Sequence, residues 1–200
     1  GIAVGAAVGF SASVVGHIVH SRNSFKYHQK NMSIEARVYL EEKMTMEELN
    51  PDNICPITRR LPIDPVKIKG EKQLYEKSAL MEVLSDTARS PITRKIFTES
   101  DVSFAIEGYV NAGKVCNNIM NNEAKKQQFS DPQLRAIAAL RQESIRVAND
   151  YFSTETCRLI EAVKSKTLSP RDFAKKAAHL ATALDPINED MERMARANDQ

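Results

Sequence analysis

Tryptophan is absent, and the 200 residues hold only three cysteines, four histidines, seven glycines and eight prolines. So little glycine and proline excludes collagen-like and low-complexity chains. Cys55, Cys116 and Cys157 are odd in number and far apart, which argues against a disulfide framework and fits a reducing, cytosolic environment. Structural zinc usually takes four Cys or His ligands, often as two close pairs. His17, His20, His28 and His179 form no such pairing with the cysteines, so neither metal nor cofactor is expected. Charge of one sign is missing too: 28 Lys and Arg face 26 Asp and Glu, a net +2. Without a basic field, nucleic acid is not expected as a partner. No Ser/His/Asp or Cys/His constellation suggests a hydrolase.

Residues 1–21 lack Asp, Glu, Lys and Arg altogether. Gly1, Gly5, Gly9 and Ser13 recur every four residues, which on a helix makes a face of small residues suited to close packing. About 20 helical residues span one bilayer core, and Arg22, Lys26 and Lys30 follow like a basic flank. Ser11, Ser13, His17 and His20 dilute the apolarity. Two readings stay open here: a segment in or against a membrane, and a packed soluble helix.

Residues 22–50 form a helical linker, with Ser33 a candidate N-cap and Thr45–Glu48 a capping box for a second short turn. Asn50-Pro51-Asp52-Asn53 breaks the pattern. Residues 51–112 differ in texture, with short apolar stretches, prolines at 56, 62, 65 and 91, and one helix-like run, YEKSALMEVLSD, that puts Leu80, Val83 and Leu84 on one face. Two short strands, a helix, a loop and a further helix make an α+β fold. From 113 to 200 the chain reads as helical. KVCNNIMNNEAKKQQ is a weak helix or linker; Ser130 with Gln133 starts a long pattern that Ser153-Thr154 interrupts; Ser169-Pro170 and Asp185-Pro186 each open a further helix. The stripes Ile137, Leu140, Val147, Tyr151 and Phe173, Ala177, Leu180, Leu184 read as a helical core. No internal repeat is read.

In order along the chain stand ICPIT (54–58), DPV (64–66), a glycine at 70, YEKSAL (75–80), SPITRK (90–95) and FTESDV (97–102). This ordered set resembles the U-box of ubiquitin-protein ligases. The resemblance implies a small zinc-free, RING-like α+β domain flanked by N-terminal helices and a C-terminal helical region. Hydrogen bonds and ion pairs would then hold loops that zinc holds in RING fingers, with Asp64, Glu76, Lys77, Thr93 and Arg94 as candidate pins. Tyr75, Leu80 and Leu84 are expected in the core, and Gly70 in a tight turn between strands.

The same resemblance implies a partner, a ubiquitin-conjugating enzyme charged with ubiquitin. It would dock on a shallow groove formed by Ile57 and Arg59 of a first loop, Val83 of the helix, and Pro91, Ile92 and Arg94 of a second loop. Arg94 matches the residue that also positions ubiquitin; its other role would be to pair with an acid of its own fold. The implied mechanism uses no covalent intermediate. The ligase restrains the charged enzyme so that a lysine of an unknown protein substrate attacks the thioester. Cys55, with no adjacent His, is not a nucleophile candidate. The chain departs from the family at Arg59, where an apolar contact is usual, at Pro62, a usual core position, and after Val102, where SFAIEG replaces a proline–asparagine pair. A non-catalytic, membrane-associated adaptor that reuses the fold is the alternative function.

A short U-box between unfamiliar helices is similar, by analogy of architecture, to bacterial effectors secreted into host cells. The C-terminal helices would then recruit substrate or form a homodimer. Cys157, beside Leu159, Ile160 and Val163 with Arg158, Lys164 and Lys166 nearby, is either a buried small apolar residue or an S-acylation site. Acylation would hold the chain on the cytosolic face of a membrane.

Overall fold

The computed structural model describes residues 27–198, with side-chain surroundings for residues 27–184. The expectations for residues 1–21, and for the side chains of the helix opened at Asp185-Pro186, lie outside the described residues. The chain is α+β and mostly helical, with one three-stranded antiparallel sheet. Helix α1 covers 27–43 and α2 Met46–Leu49. Strands β1 (Pro65–Ile68) and β2 (Tyr75–Glu76) precede helix α3 (Lys77–Asp86), and strand β3 (Val102–Phe104) leads into helix α4 (Ile106–Met120). A short α5 (Glu123–Lys126) and the long α6 (Asp131–Lys164) and α7 (Pro170–Asn198) complete it. Among the described residues no helix is long and apolar enough to cross a membrane.

Local chemistry sets several of these boundaries. The Thr45 hydroxyl accepts from the Glu48 N–H at 3.3 Å, and the Glu48 carboxylate accepts from the Thr45 N–H at 3.0 Å, a complete capping box. Ser130 and Gln133 repeat it at the start of α6, and the Ser169 hydroxyl accepts from the Asp172 N–H at the start of α7. Gly70, at φ 85°, closes the β1–β2 turn in the left-handed region that glycine enters without penalty. In the sheet, order β2-β1-β3, Val66 stands opposite Tyr75 on one side and Phe104 on the other.

Four local expectations are corrected. Ser33 lies inside α1, buried, its hydroxyl donating to the Lys30 carbonyl rather than capping a helix start. Residues 102–104, read as loop, form β3, because their backbone pairs with β1. Of the two readings of the Asn-rich stretch, the helical one holds as far as Met120, within α4 from Ile106, where burial of Cys116 and Ile119 outweighs weak propensity. Ser153-Thr154 does not interrupt α6; both lie exposed on its surface. Asp185-Pro186 opens no new helix, since α7 runs through it without a break.

Three apolar clusters organise the packing. Leu40 of α1, Ile119 of α4, and Ile137 and Leu140 of α6 form the first, joined by Leu49 and Ile54. Cys55, Val66, Ile68, Tyr75, Leu80 and Phe97 form the second, between the sheet and α3, with Ile57, Val83 and Leu84 packed on its edge. Ile106, Val110, Ala148 and Leu184 tie α4 to α6 and α7 in the third. Ile54 and Cys55 are sequence neighbours in different clusters. Extended backbone at Ile54 (φ −91°, ψ 121°) throws successive side chains to opposite sides, so one faces the helices and the next the sheet. Arg37, buried on α1, donates to the Ser33 carbonyl at 3.0 Å, pairs with Glu143 of α6 at 3.8 Å and lies over the Tyr109 ring.

Helix α4 crosses β1 at Gly108, where a Cβ would stand 2.5 Å from Pro65 Cβ and 2.7 Å from its Cγ. Both groups are stiff, so the contact relaxes only by moving the helix. Gly108→Ala should therefore lower stability by about 1–3 kcal/mol, the usual cost of overpacking, despite alanine's better helix propensity. Urea unfolding checks this; an unchanged or raised midpoint would show that α4 can shift freely from the sheet.

Candidate functional site

Two loops flank α3, and they are the same loop. Cys55–Arg60 reads CPITRR and Ser90–Lys95 reads SPITRK. In the first, the Cys55 N–H donates to the Arg60 carbonyl at 2.9 Å and the Arg59 N–H to the Cys55 carbonyl at 2.7 Å. In the second, the Ser90 N–H donates to the Lys95 carbonyl at 2.9 Å and the Arg94 N–H to the Ser90 carbonyl at 3.0 Å. The fifth residue of each is left-handed, Arg59 at φ 58° and Arg94 at φ 61°. The expectation of no internal repeat is thus corrected: the shared PITR is one, readable in the sequence and borne out in the backbone.

Around these turns, side chains do the pinning. Glu71 accepts from the Tyr75 hydroxyl at 2.7 Å and the Thr93 hydroxyl at 2.8 Å, and is hydrogen-bonded by Ser90. Ser90, itself buried, accepts from the N–H groups of Ile92 and Thr93 at 3.2 and 3.1 Å. One carboxylate thus ties the second loop to β2. Partial burial pushes the Glu71 carboxyl up, but the hydrogen bonds from Ser90, Tyr75 and Thr93, with Lys95 nearby, outweigh it and hold it below the usual range. Burial, then Glu71, pushes the Tyr75 phenol well above its ordinary value.

The first loop is held differently. Gln73 donates to the Ile54 carbonyl at 2.6 Å. Glu41 of α1 accepts from the Leu61 N–H at 2.7 Å and stands 3.7 Å from the Arg60 guanidinium. Glu76 accepts from the N–H groups of Ile63 and Asp64. Of the expected pins, Glu76 and Thr93 act through side chains. Asp64, Lys77 and Arg94 act through the backbone, the Lys77 N–H donating to the Asp64 carbonyl and the Arg94 carbonyl accepting from Arg89. Glu71, Ser90, Gln73 and Glu41 escaped the sequence reading; Glu41, Gln73 and the Glu71–Thr93 bond reach far along the chain and leave no local pattern, whereas Ser90 bonds residues two and three positions on, a serine turn that the sequence offered. Among the described residues, no group of three or more His, Cys, Asp or Glu side chains is arranged to hold a metal ion.

Ile57 and Val83, both half-buried, pack on the one cluster under α3, together with Leu84. Tyr75 and Leu80 are fully buried in that cluster, as expected of core residues. Pro91 is half-buried, and Ile92 is 54% exposed at the tip of the second loop. Arg59 and Arg94 are both exposed. Among the described residues no carboxylate lies within ion-pairing distance of Arg94, so the internal pair considered for it is not formed. Cys55 is fully buried, and burial pushes the equally buried Cys116 thiol up to about 12. Cys157 is exposed on α6, which corrects the reading of it as a buried apolar residue; Leu159 is the buried neighbour. No family model, no curated protein and no solved structure matches the chain.

The lowered Glu71 carboxyl makes a signed prediction. A depressed folded value adds stability above the ordinary glutamate range, about 4.3, and that stability is lost as the pH falls through the folded value. Glu71→Gln should cost about 1–2 kcal/mol at neutral pH, and the gap from the wild type should close as the pH falls below the ordinary glutamate range. Urea midpoints across this range measure it. A gap that stays constant with pH would show that the Glu71 charge contributes nothing.

Proposed function

We propose that this chain is a U-box-type ubiquitin-protein ligase. It binds a ubiquitin-charged conjugating enzyme on the surface made by the two loops and α3, and promotes transfer to a substrate lysine. The observation that carries this reading is the pair of like loops flanking one helix, pinned by side chains, with Ile57 and Val83 seated on the core they share. Such a surface offers a few apolar anchors, which supply most of the energy of a small interface. Arg94 supports the ubiquitin-positioning role because its guanidinium is exposed and has no internal carboxylate partner among the described residues. A guanidinium presents donors in a rigid fork able to bridge two carbonyl-rich surfaces. Catalysis would then be positional, by restraint of a flexible thioester. A covalent relay through Cys55 or Cys116 finds no support, since both thiols are buried. The membrane and effector associations remain part of the proposal, with exposed Cys157 as the acylation point.

In an autoubiquitination assay with the full chain and a panel of conjugating enzymes, polyubiquitin is expected. Ile57→Ala should weaken conjugating-enzyme binding by roughly tenfold or more. Arg94→Ala should slow ubiquitin discharge to free lysine by about tenfold while changing binding much less. Binding without discharge would replace the ligase by a scaffold. Absence of both, in a folded protein, would sink the reading.

A further inference from the structure

The twin loops differ at their first residue, and the difference says how each is locked. In the second loop that residue is Ser90, whose hydroxyl accepts from the N–H groups of Ile92 and Thr93 inside the turn. In the first it is Cys55, whose thiol is a weak acceptor. The first loop therefore lacks the strong internal lock of its twin. Its far end is instead gripped from outside, by a residue of the helix that precedes the domain. Glu41 Oε1 accepts from the Leu61 N–H at 2.7 Å, and Oε2 stands 3.7 Å from Arg60 Nε. The Glu41 side chain is only 19% exposed, so the bond is partly shielded from water. Charge-assisted bonds of this kind are about twice as strong as neutral ones. Leu61 packs on the helical cluster while Ile57 packs on the sheet cluster, so the stretch between them spans two bodies of packing.

We propose that Glu41 is a positioning residue for the first loop: its carboxylate fixes the Arg60–Leu61 end and thereby sets how Ile57 and Arg59 are presented to the conjugating enzyme. The part about presentation rests on the function proposed above; the grip on the loop does not. The grip makes α1 a working part of the binding surface, so the pose of the first loop follows the pose of α1.

Three variants of the full chain test this, Glu41→Ala, Glu41→Gln and, as a control on the same helix, Glu42→Ala at an exposed position. Amide hydrogen exchange is read at Leu61 and, for comparison, at Ile92 and Thr93. In Glu41→Ala, exchange at Leu61 should quicken about tenfold, the value of one charge-assisted hydrogen bond, with the second loop unchanged. Glu41→Gln keeps an acceptor for the Leu61 N–H and should recover most of the protection; Glu42→Ala should match the wild type. With a charged conjugating enzyme, Glu41→Ala should raise KM about tenfold and leave kcat within about twofold, as lost uniform binding does. Unchanged Leu61 exchange overturns the proposal. So does equal quickening in both loops, which is global loss of stability. If the wild type engages no conjugating enzyme, the ligase reading falls while the exchange data still decide whether Glu41 grips the loop. Altered exchange with unaltered KM removes Glu41 from the binding surface and leaves the ligase reading standing.

Discussion

The structure hinges on two adjacent side chains that must face opposite ways. Ile54 enters the cluster of α1, α4 and α6; Cys55 enters the cluster beneath the sheet and α3. An extended peptide imposes this alternation, and burial on both sides fixes it. Everything the first loop does starts from that anchored pair. Because Cys55 is also the loop's first residue, its buried side chain, its N–H to Arg60 and its carbonyl to Arg59 orient the whole turn. The helices are therefore not appendages to a small independent domain. Glu41 of α1, Leu61 on the helical cluster, and Gly108 of α4 against Pro65 of β1 each bind the helical body to the sheet-bearing one.

Neither loop can be made without cost. Arg59 and Arg94 both sit at positive φ, where a side chain with a Cβ loses about 1–2 kcal/mol. Glycine would relieve that cost but would leave no guanidinium at the tip. The strain is sustained by over-determination: two backbone bonds close each turn, and carboxylates or amides hold its ends. A carboxylate suits this task because it is acceptor-only and can take several donors at once. Glu71 takes hydroxyls from Tyr75 and Thr93, and Glu76 takes two backbone N–H groups. The result is a division of charge, with acids turned inward as pins and the two arginines left facing solvent.

What could be read beforehand was what short-range chemistry decides. The capping residues Thr45, Ser130 and Ser169, the turn at Gly70 and the α3 face of Leu80, Val83 and Leu84 all announce themselves within a few residues. The α+β class followed from those. Errors came where the same chemistry was overruled by packing. Ser33 looks like a cap but is buried in mid-helix. Strand β3 was invisible because VSF is too short to show a period; only its partner β1 defines it. Pro186 reads as a helix start, yet α7 passes through it, with Leu180 and Leu184 of the preceding turns packed against the α4–α6 pair.

The candidate site divides in the same way. The loop tips, Ile57, Arg59, Pro91, Ile92 and Arg94, could be named because ICPIT and SPITRK resemble the two loops of a U-box. Of the residues that hold those tips, Glu41, Gln73 and Glu71 reach partners about twenty residues away and could not be named, while Ser90 bonds within its own turn and was overlooked. Under the proposed template role this second group matters as much as the first. A template gains nothing from contact chemistry if its surface is loose, because the advantage is the entropy it removes from the reacting partners. Rigidity, in turn, is a property of pins rather than of tips. One motif, PITR, is used twice, and each copy is held by a different acid from elsewhere in the chain, so those acids are where the two loops acquire different behaviour. The first loop answers to α1 through Glu41, and the second to β2 through Glu71.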